Sequence, residues 1–396
     1  MKKNILKVVM YLNHPQETDK INACTVYRNF TPMKFAEDVS IMYVSSVETQ
    51  IEFNPIKKKI TNIKMDAEPI EWADVVVFSR HYDQPAIMGC LVEVAKQMGK
   101  LIVYETDDLL QKVEQNIGKH AYDPNGMKKQ LEFVNWLIPE ADLVTVTTPY
   151  LANFYKNEMK AKETAVLPNY YDPQRWKYLY AYKKLRDFWR KKILRRKTIR
   201  IGWQGGNNHF LKNFNYLVEP LNELHKKYGT KFEFVVFSGN DPRVDLFAGD
   251  KDKRKFLEFD FEHRQSVDIF KFPRALAELD LDLGLIVVED NEFSRGKSNI
   301  KWMEYSLLGI PSIASRCEPY LSTNSLLVDN SKEQWFNALE SLLLSEDKRD
   351  KMSIEARKMV LGYNIRHHAW KWSKTFREAI ARKSKQKVGK NKPTSE

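Results

Sequence analysis

Cysteine is scarce in this chain. There are three in 396 residues, Cys24, Cys90 and Cys317, and no two stand at metal-ligand spacing. That excludes a disulfide-stapled scaffold and fits reduced thiols in a cytoplasmic protein with no metal site. Long apolar runs are missing too, and no stretch is long and apolar enough to span a bilayer. The opening Met1-Lys2-Lys3-Asn4-Ile5-Leu6 faintly resembles an export signal. Lys7 interrupts its apolar run and no small-residue cleavage site precedes Asn13, so a first buried strand reads better. Neither a Gly-x-Ser-x-Gly elbow nor a His-Glu-x-x-His pair occurs.

What is present is charge and aromatic bulk. The formal net charge is +12, with 43% hydrophobic and 12% aromatic residues, enough for two ordinary cores. A basic surface attracts nucleotide phosphates, nucleic acid or an acidic membrane face. Part of the excess lies in residues 183–200 and 382–392, where a solvated linker helix and a frayed tail explain it equally well.

Short Val/Ile/Leu-rich runs at 5–12, 75–78, 101–104 and 143–147 read as buried strands. Helical periodicity separates them at 87–98, which Gly99 closes, and at 127–137. The alternation breaks over 170–197, a turn-rich then basic and aromatic segment taken as a linker. It resumes with strands at 199–203, 232–238, 283–288 and 312–314, and helices at 217–228, 300–308, 335–344 and 367–382. The pattern predicts an α/β chain of two Rossmann-like domains with parallel sheets, 1–169 and 198–362. A C-terminal helix follows over 363–384 and a disordered basic tail over 385–396.

Three stretches of the second half can carry chemistry. In Ser294-Arg295-Gly296-Lys297-Ser298-Asn299-Ile300-Lys301, Ser298 or Asn299 is placed to cap a helix whose free amides form an anion site. Lys297 and Lys301 flank that start, and Glu304, nearly two turns in, is suited to a pair of ribose hydroxyls. An ordinary capped surface helix with Lys–Glu pairs fits the same residues. In Gly202-Trp203-Gln204-Gly205-Gly206-Asn207-Asn208-His209, a strand enters a glycine turn that lets backbone approach phosphate. Its spacing is neither the dinucleotide fingerprint nor a P-loop, which excludes nicotinamide enzymes and P-loop kinases. His209 and Lys212 follow it. Third, Ser238-Gly239 ends a strand, where an open α/β sheet holds its ligand. In the first half, Arg80-His81 and Asp107-Asp108 each follow a strand, and Arg28 follows a loop. The aspartates suggest a metal only weakly, since no third ligand type is near, and a helix cap explains them as well.

Together these stretches resemble the group 1 family of retaining GT-B glycosyltransferases, most closely from Ile199 to about Ala381. The resemblance runs through Ile201-Gly202-Trp203, Val235-Val236-Phe237-Ser238-Gly239, Lys297 to Tyr305 and Gly309-Ile310-Pro311, and more loosely through Ala73 to Val77 and Glu140 to Pro149. It implies two facing Rossmann-like domains, with a nucleotide-diphosphate sugar on the second and the last helix crossing back to the first. Transfer would go to an acceptor hydroxyl without metal or cofactor. The donor would be held by Gly205, Gly206, His209, Lys212, Ser238, Gly239, Ser298, Asn299, Ile300 and Glu304. Lys297 and Lys301 would serve in catalysis, with His81 and Asp107 facing the acceptor, and Arg28, Arg80 and Asp108 would bind it. The first glutamate of the family's Glu-x7-Glu pair falls at Gly296, where Glu292 or Asn291 is the nearest substitute, and the family's N-terminal Gly-Gly loop is absent.

The acceptor stays open between a glycan, a lipid-linked glycan at the inner membrane face, where the protein would sit peripherally, and bases in DNA. The last two answer the run from Phe188 to Arg196. A sugar-nucleotide 2-epimerase and a non-catalytic module of the same fold are the rival readings.

Overall fold

A computed structural model describes residues 5–12, 21–47, 49–54, 59–80, 82, 84–115, 124–205, 210–239 and 257–390. The chain forms two units, one of residues 1–107, 124–168 and 367–396, the other of 108–123 and 169–366.

The first unit carries β1 (Leu6–Tyr11), β2 (Val39–Val44), β3 (Thr49–Asn54), β4 (Lys59–Met65), β5 (Val75–Ser79), β6 (Leu101–Thr106), β7 (Leu143–Val146) and β8 (Thr164–Val166). Six of them make a parallel sheet in the order β2-β1-β5-β6-β7-β8, while β3 and β4 form a separate antiparallel hairpin. Val8, Val9, Val75, Val76, Val103 and Val144 have no solvent exposure. Strands covered on both faces cannot alternate polar and apolar residues, which is why they read as continuous apolar runs. The helix Pro85–Gln97 ends on Gly99, whose φ of 69° lets the Lys100 amide donate back to the Ala95 carbonyl at 3.0 Å.

The last helix, Trp370–Lys390, belongs to this first unit. It buries Trp372 and Phe376 and reaches Asp142 through Lys383 at 2.6 Å and Glu163 through Arg382 at 2.9 Å. Residues 385–390, read from sequence as tail, continue this helix, and 391–396 lie outside the described residues.

The second unit carries β9 (Ile199–Gly205), β10 (Phe232–Ser238), β11 (Glu262–Gln265), β12 (Leu283–Ile286), β13 (Ser312–Ser315) and β14 (Leu326–Val328). They make a parallel sheet in the order β11-β10-β9-β12-β13-β14. Trp203, Phe214, Leu217, Phe234, Leu285 and Trp335 pack its core. Burying each such side chain stabilises by about 1.5–3 kcal/mol. The segment 170–197 is part of this unit: the helix Leu179–Phe188 runs on into a wider turn, Trp189–Ile193, and is tied to the body through Arg186 and Asp280 at 2.6 Å.

Candidate active site

Strand order locates the site within the second unit. From β9 the chain steps outward to β10 and β11, then returns to lay β12 on the other side of β9 and continues to β13 and β14. The order reverses between β9 and β12, and in open α/β sheets ligands bind beyond the carboxyl ends of the strands at such a point. The carboxyl end of β9 is Trp203-Gln204-Gly205, and the helix Ile300–Leu307 presents its side chains to those residues. That helix stops where the sequence places its end. Gly309, at φ 67°, allows the Ile310 amide to donate to the Tyr305 carbonyl at 3.0 Å. Its packing on the sheet is close: a Cβ on Gly284 would meet the Tyr305 ring at 2.7 Å.

The start of the helix differs from the sequence expectation. Asn299 occupies the N-cap position, but its side chain makes no capping hydrogen bond. The Asn299 side-chain Nδ2 donates to the Tyr363 hydroxyl at 3.3 Å, and the Ser298 hydroxyl accepts from the Asn169 side chain at 2.9 Å. Both candidate caps are spent on other partners, so among the described residues no side chain caps the first-turn amides, Ile300 among them, and a helix start of this kind is suited to an anion.

Two cations stand at this start. Lys301 donates to the Gln204 carbonyl at 2.9 Å and lies 5.3 Å from the Trp203 ring. Burial, reinforced by Lys297, pushes its ammonium down to about 8 against the opposing pull of Glu304. Lys297 lies 3.5 Å from Asp108 and 4.4 Å from the centre of the Phe293 ring. Glu304 is 5% exposed and accepts from the Gln204 side chain at 3.0 Å. Gln204 therefore joins Lys301 through its carbonyl and Glu304 through its amide. In the sequence Gln204 stands only as one residue of the glycine turn, and its role emerges from its buried place near the end of β9.

A pH dependence follows from Lys301. Its folded value lies below the ordinary 10.5, so between about 8 and that value the folded chain binds fewer protons than the unfolded one. This group makes stability rise with pH across that window, whereas affinity for a diphosphate, which needs the ammonium, falls as pH rises through about 8. Calorimetric titration of a nucleoside diphosphate from pH 6.5 to 9.5 is expected to show that fall in the wild type and not in Lys301→Gln.

The remaining candidates are placed as follows. Gly205 ends β9, and a Cβ there would meet the Trp203 ring at 2.2 Å. Ser238 ends β10, where its hydroxyl lies 3.3 Å from the His263 ring, and Gly239 follows it. Asn291 caps the Ser294 amide at 2.9 Å, while Glu292 is held by Lys112 at 2.9 Å and Gln115 at 3.1 Å. Gly206, His209 and His81 lie outside the described residues, as does the side chain of Lys212.

In the first unit, Arg28, which the sequence offers as an acceptor contact, is buried in an ion pair. It is 3% exposed and pairs with Glu105 at 2.7 Å, which also accepts from Thr145 at 2.5 Å. Arg80, at φ 60°, forms an ion pair with Asp107 and lies 3.1 Å from the Cys24 sulfur. Asp107 and Asp108 thus face different partners, Arg80 and Lys297. Among the described residues no group of three or more His, Cys, Asp or Glu side chains is placed to hold a metal ion.

No protein-family model and no curated protein sequence matches the chain. Solved structures do. HepE of Anabaena, in complex with UDP and glucose, superposes with a TM-score of 0.57 at 10% identity over 93% of this chain and 98% of its own. A glycosyltransferase of Rickettsia africae gives 0.59 at 15% identity, covering 95% of this chain and 99% of its own. The UDP-forming α,α-trehalose-phosphate synthase of Burkholderia vietnamiensis gives 0.59 at 9%, covering 95% and 99%. Likeness at such identities is likeness of fold, and the fold is GT-B.

Proposed function

We propose that the chain is a glycosyltransferase that moves a sugar from a nucleotide-diphosphate donor to an acceptor hydroxyl, with retention at the anomeric carbon. One observation carries the reading: at the switch point of the second sheet, an uncapped helix start, Lys301 and buried Glu304 are gathered around Gln204. The amides and the two lysines suit the charge that builds on the leaving diphosphate, and the carboxylate suits vicinal ribose hydroxyls. The GT-B neighbours support the donor class, HepE holding UDP and the trehalose-phosphate synthase forming it. On this reading the diphosphate charge falls to Lys297, Lys301 and helix amides.

A thermal-shift panel of uridine, guanosine and adenosine diphosphate sugars tests it. One donor is expected to raise the unfolding midpoint by several degrees, as about 2.7 kcal/mol of stabilisation does at a hundredfold excess over Kd. That donor should also hydrolyse slowly when no acceptor is present. A chain that responds to none of them, with no hydrolysis, is not a nucleotide-sugar enzyme.

A further inference from the structure

The helix Leu179–Phe188 and its continuation Trp189–Ile193 have their polarity reversed. A surface helix of a globular protein buries its apolar stripe and exposes its charges. Here the charges face the body. Lys183 is 4% exposed and pairs with Asp187 at 2.6 Å, Arg190 is 7% exposed and pairs with Asp282 at 2.6 Å, and Arg186 forks onto Asp280 at 2.7 and 2.6 Å. Burial alone would raise the Asp282 carboxyl, but Arg190 and Lys191 outweigh it and hold the group below its usual range. The pairs of Arg186 with Asp280 and Arg190 with Asp282 set the roll of the helix about its axis.

The opposite face is apolar and open. Tyr178, Leu185, Phe188, Trp189, Ile193 and Leu194 are each between 51% and 73% exposed. Positions 185, 188 and 189 fall on one side at helical spacing. Around this stripe stand Lys184, Lys192, Arg195, Arg196 and Lys197, all exposed. Asp187, the acid within the segment, is already paired inward.

We propose that this face docks on an anionic lipid surface. The aromatic and aliphatic side chains enter the boundary between headgroups and acyl chains, and the cations reach the lipid phosphates. Charge selects this occupant. A second copy seated on the same face would bring two sets of five cations together, and a nucleic-acid backbone offers nothing to cover Leu185 and Ile193 at the centre of the stripe. The proposal does not rest on sugar transfer, because no residue of the stripe belongs to the donor site.

The test is co-sedimentation of the full chain with vesicles of phosphatidylcholine alone, or mixed with phosphatidylglycerol. Salt-sensitive binding to the mixed vesicles is expected, at least about tenfold tighter than to the neutral ones. The variant Leu185→Ser/Phe188→Ser/Trp189→Ser should lose at least about tenfold in that binding, as should Lys192→Gln/Arg195→Gln/Arg196→Gln. Both sets of side chains are exposed, so both variants should unfold at the wild-type midpoint and keep the wild-type response to the donor. Absence of binding to the anionic vesicles overturns the proposal. So does equal binding in wild type and either variant, or a wild-type dimer that the serine variant dissolves while vesicle binding persists.

Discussion

Replacing Glu304 with alanine is expected to lower kcat/KM for the nucleotide-sugar donor by about a hundred- to a thousandfold. A hydrogen bond to a charged group contributes about 1.5–3 kcal/mol, and a ribose presents two hydroxyls to one carboxylate. Two bonds at the lower end of that range amount to about 3 kcal/mol, or somewhat over a hundredfold in rate. The fold should survive, because the substitution removes a hydrogen bond to Gln204 from a helix whose Trp302, Met303 and Tyr305 are fully packed. The cost of about 1–2 kcal/mol is a shift of a few degrees in a unit of this size. Glu304→Gln keeps one acceptor oxygen but loses the charge and exchanges the second oxygen for an NH2 donor, so its loss of activity should be at least about tenfold. Steady-state kinetics of both variants beside their thermal unfolding separates the effects. Wild-type kcat/KM in Glu304→Ala removes this residue from donor binding.

Arg28→Leu should act the other way round, on stability. Arg28 and Glu105 are 3% and 4% exposed, and removing one partner of a buried pair leaves the other charge uncompensated, typically at about 3–5 kcal/mol. Burial already raises the Glu105 carboxyl despite the guanidinium and the Thr145 hydroxyl beside it. Without Arg28 it rises further. A raised acid binds more protons folded than unfolded as pH climbs out of the ordinary glutamate range, so the variant's deficit should be smallest in acid and grow toward neutrality. Arg28→Leu/Glu105→Leu should recover most of the loss, since an apolar pair of similar volume tolerates the same site. Denaturant unfolding at pH 4.5 and 7 reads all of this. A stable Arg28→Leu chain that binds donor normally but fails in transfer would return Arg28 to the acceptor.

The central strands were legible because they are covered on both faces: Val75 to Phe78 and Leu283 to Ile286 have hardly any other reading. The edges were not. β11 is Glu-His-Arg-Gln, with no apolar signal, so it exists by pairing rather than by propensity, and β14, Leu-Leu-Val, is too short for its pattern to stand out. The helix Glu346–Val360 was missed for a similar reason, since Arg349 and Ser353 stand among its buried positions and blur the stripe. At the site, residue types and spacing picked out Lys297, Lys301 and Glu304, but spacing says nothing about where a side chain is spent. Ser298 and Asn299 look like caps and bond to Asn169 and Tyr363 instead, and Gln204 becomes visible only once β9 and the helix are side by side. The basic, aromatic run at 183–197 was conspicuous as composition. Which face carried which chemistry depended on Asp280 and Asp282, some ninety residues away in sequence.

The most direct test of the donor site is a structure of the chain with the nucleoside diphosphate that stabilises it best. The expected result places the two phosphates against the amides at Asn299 and Ile300, within reach of the Lys297 and Lys301 ammonium groups, with both ribose hydroxyls on the Glu304 carboxylate. A diphosphate bound elsewhere, with no ribose hydroxyl on Glu304, would contradict it.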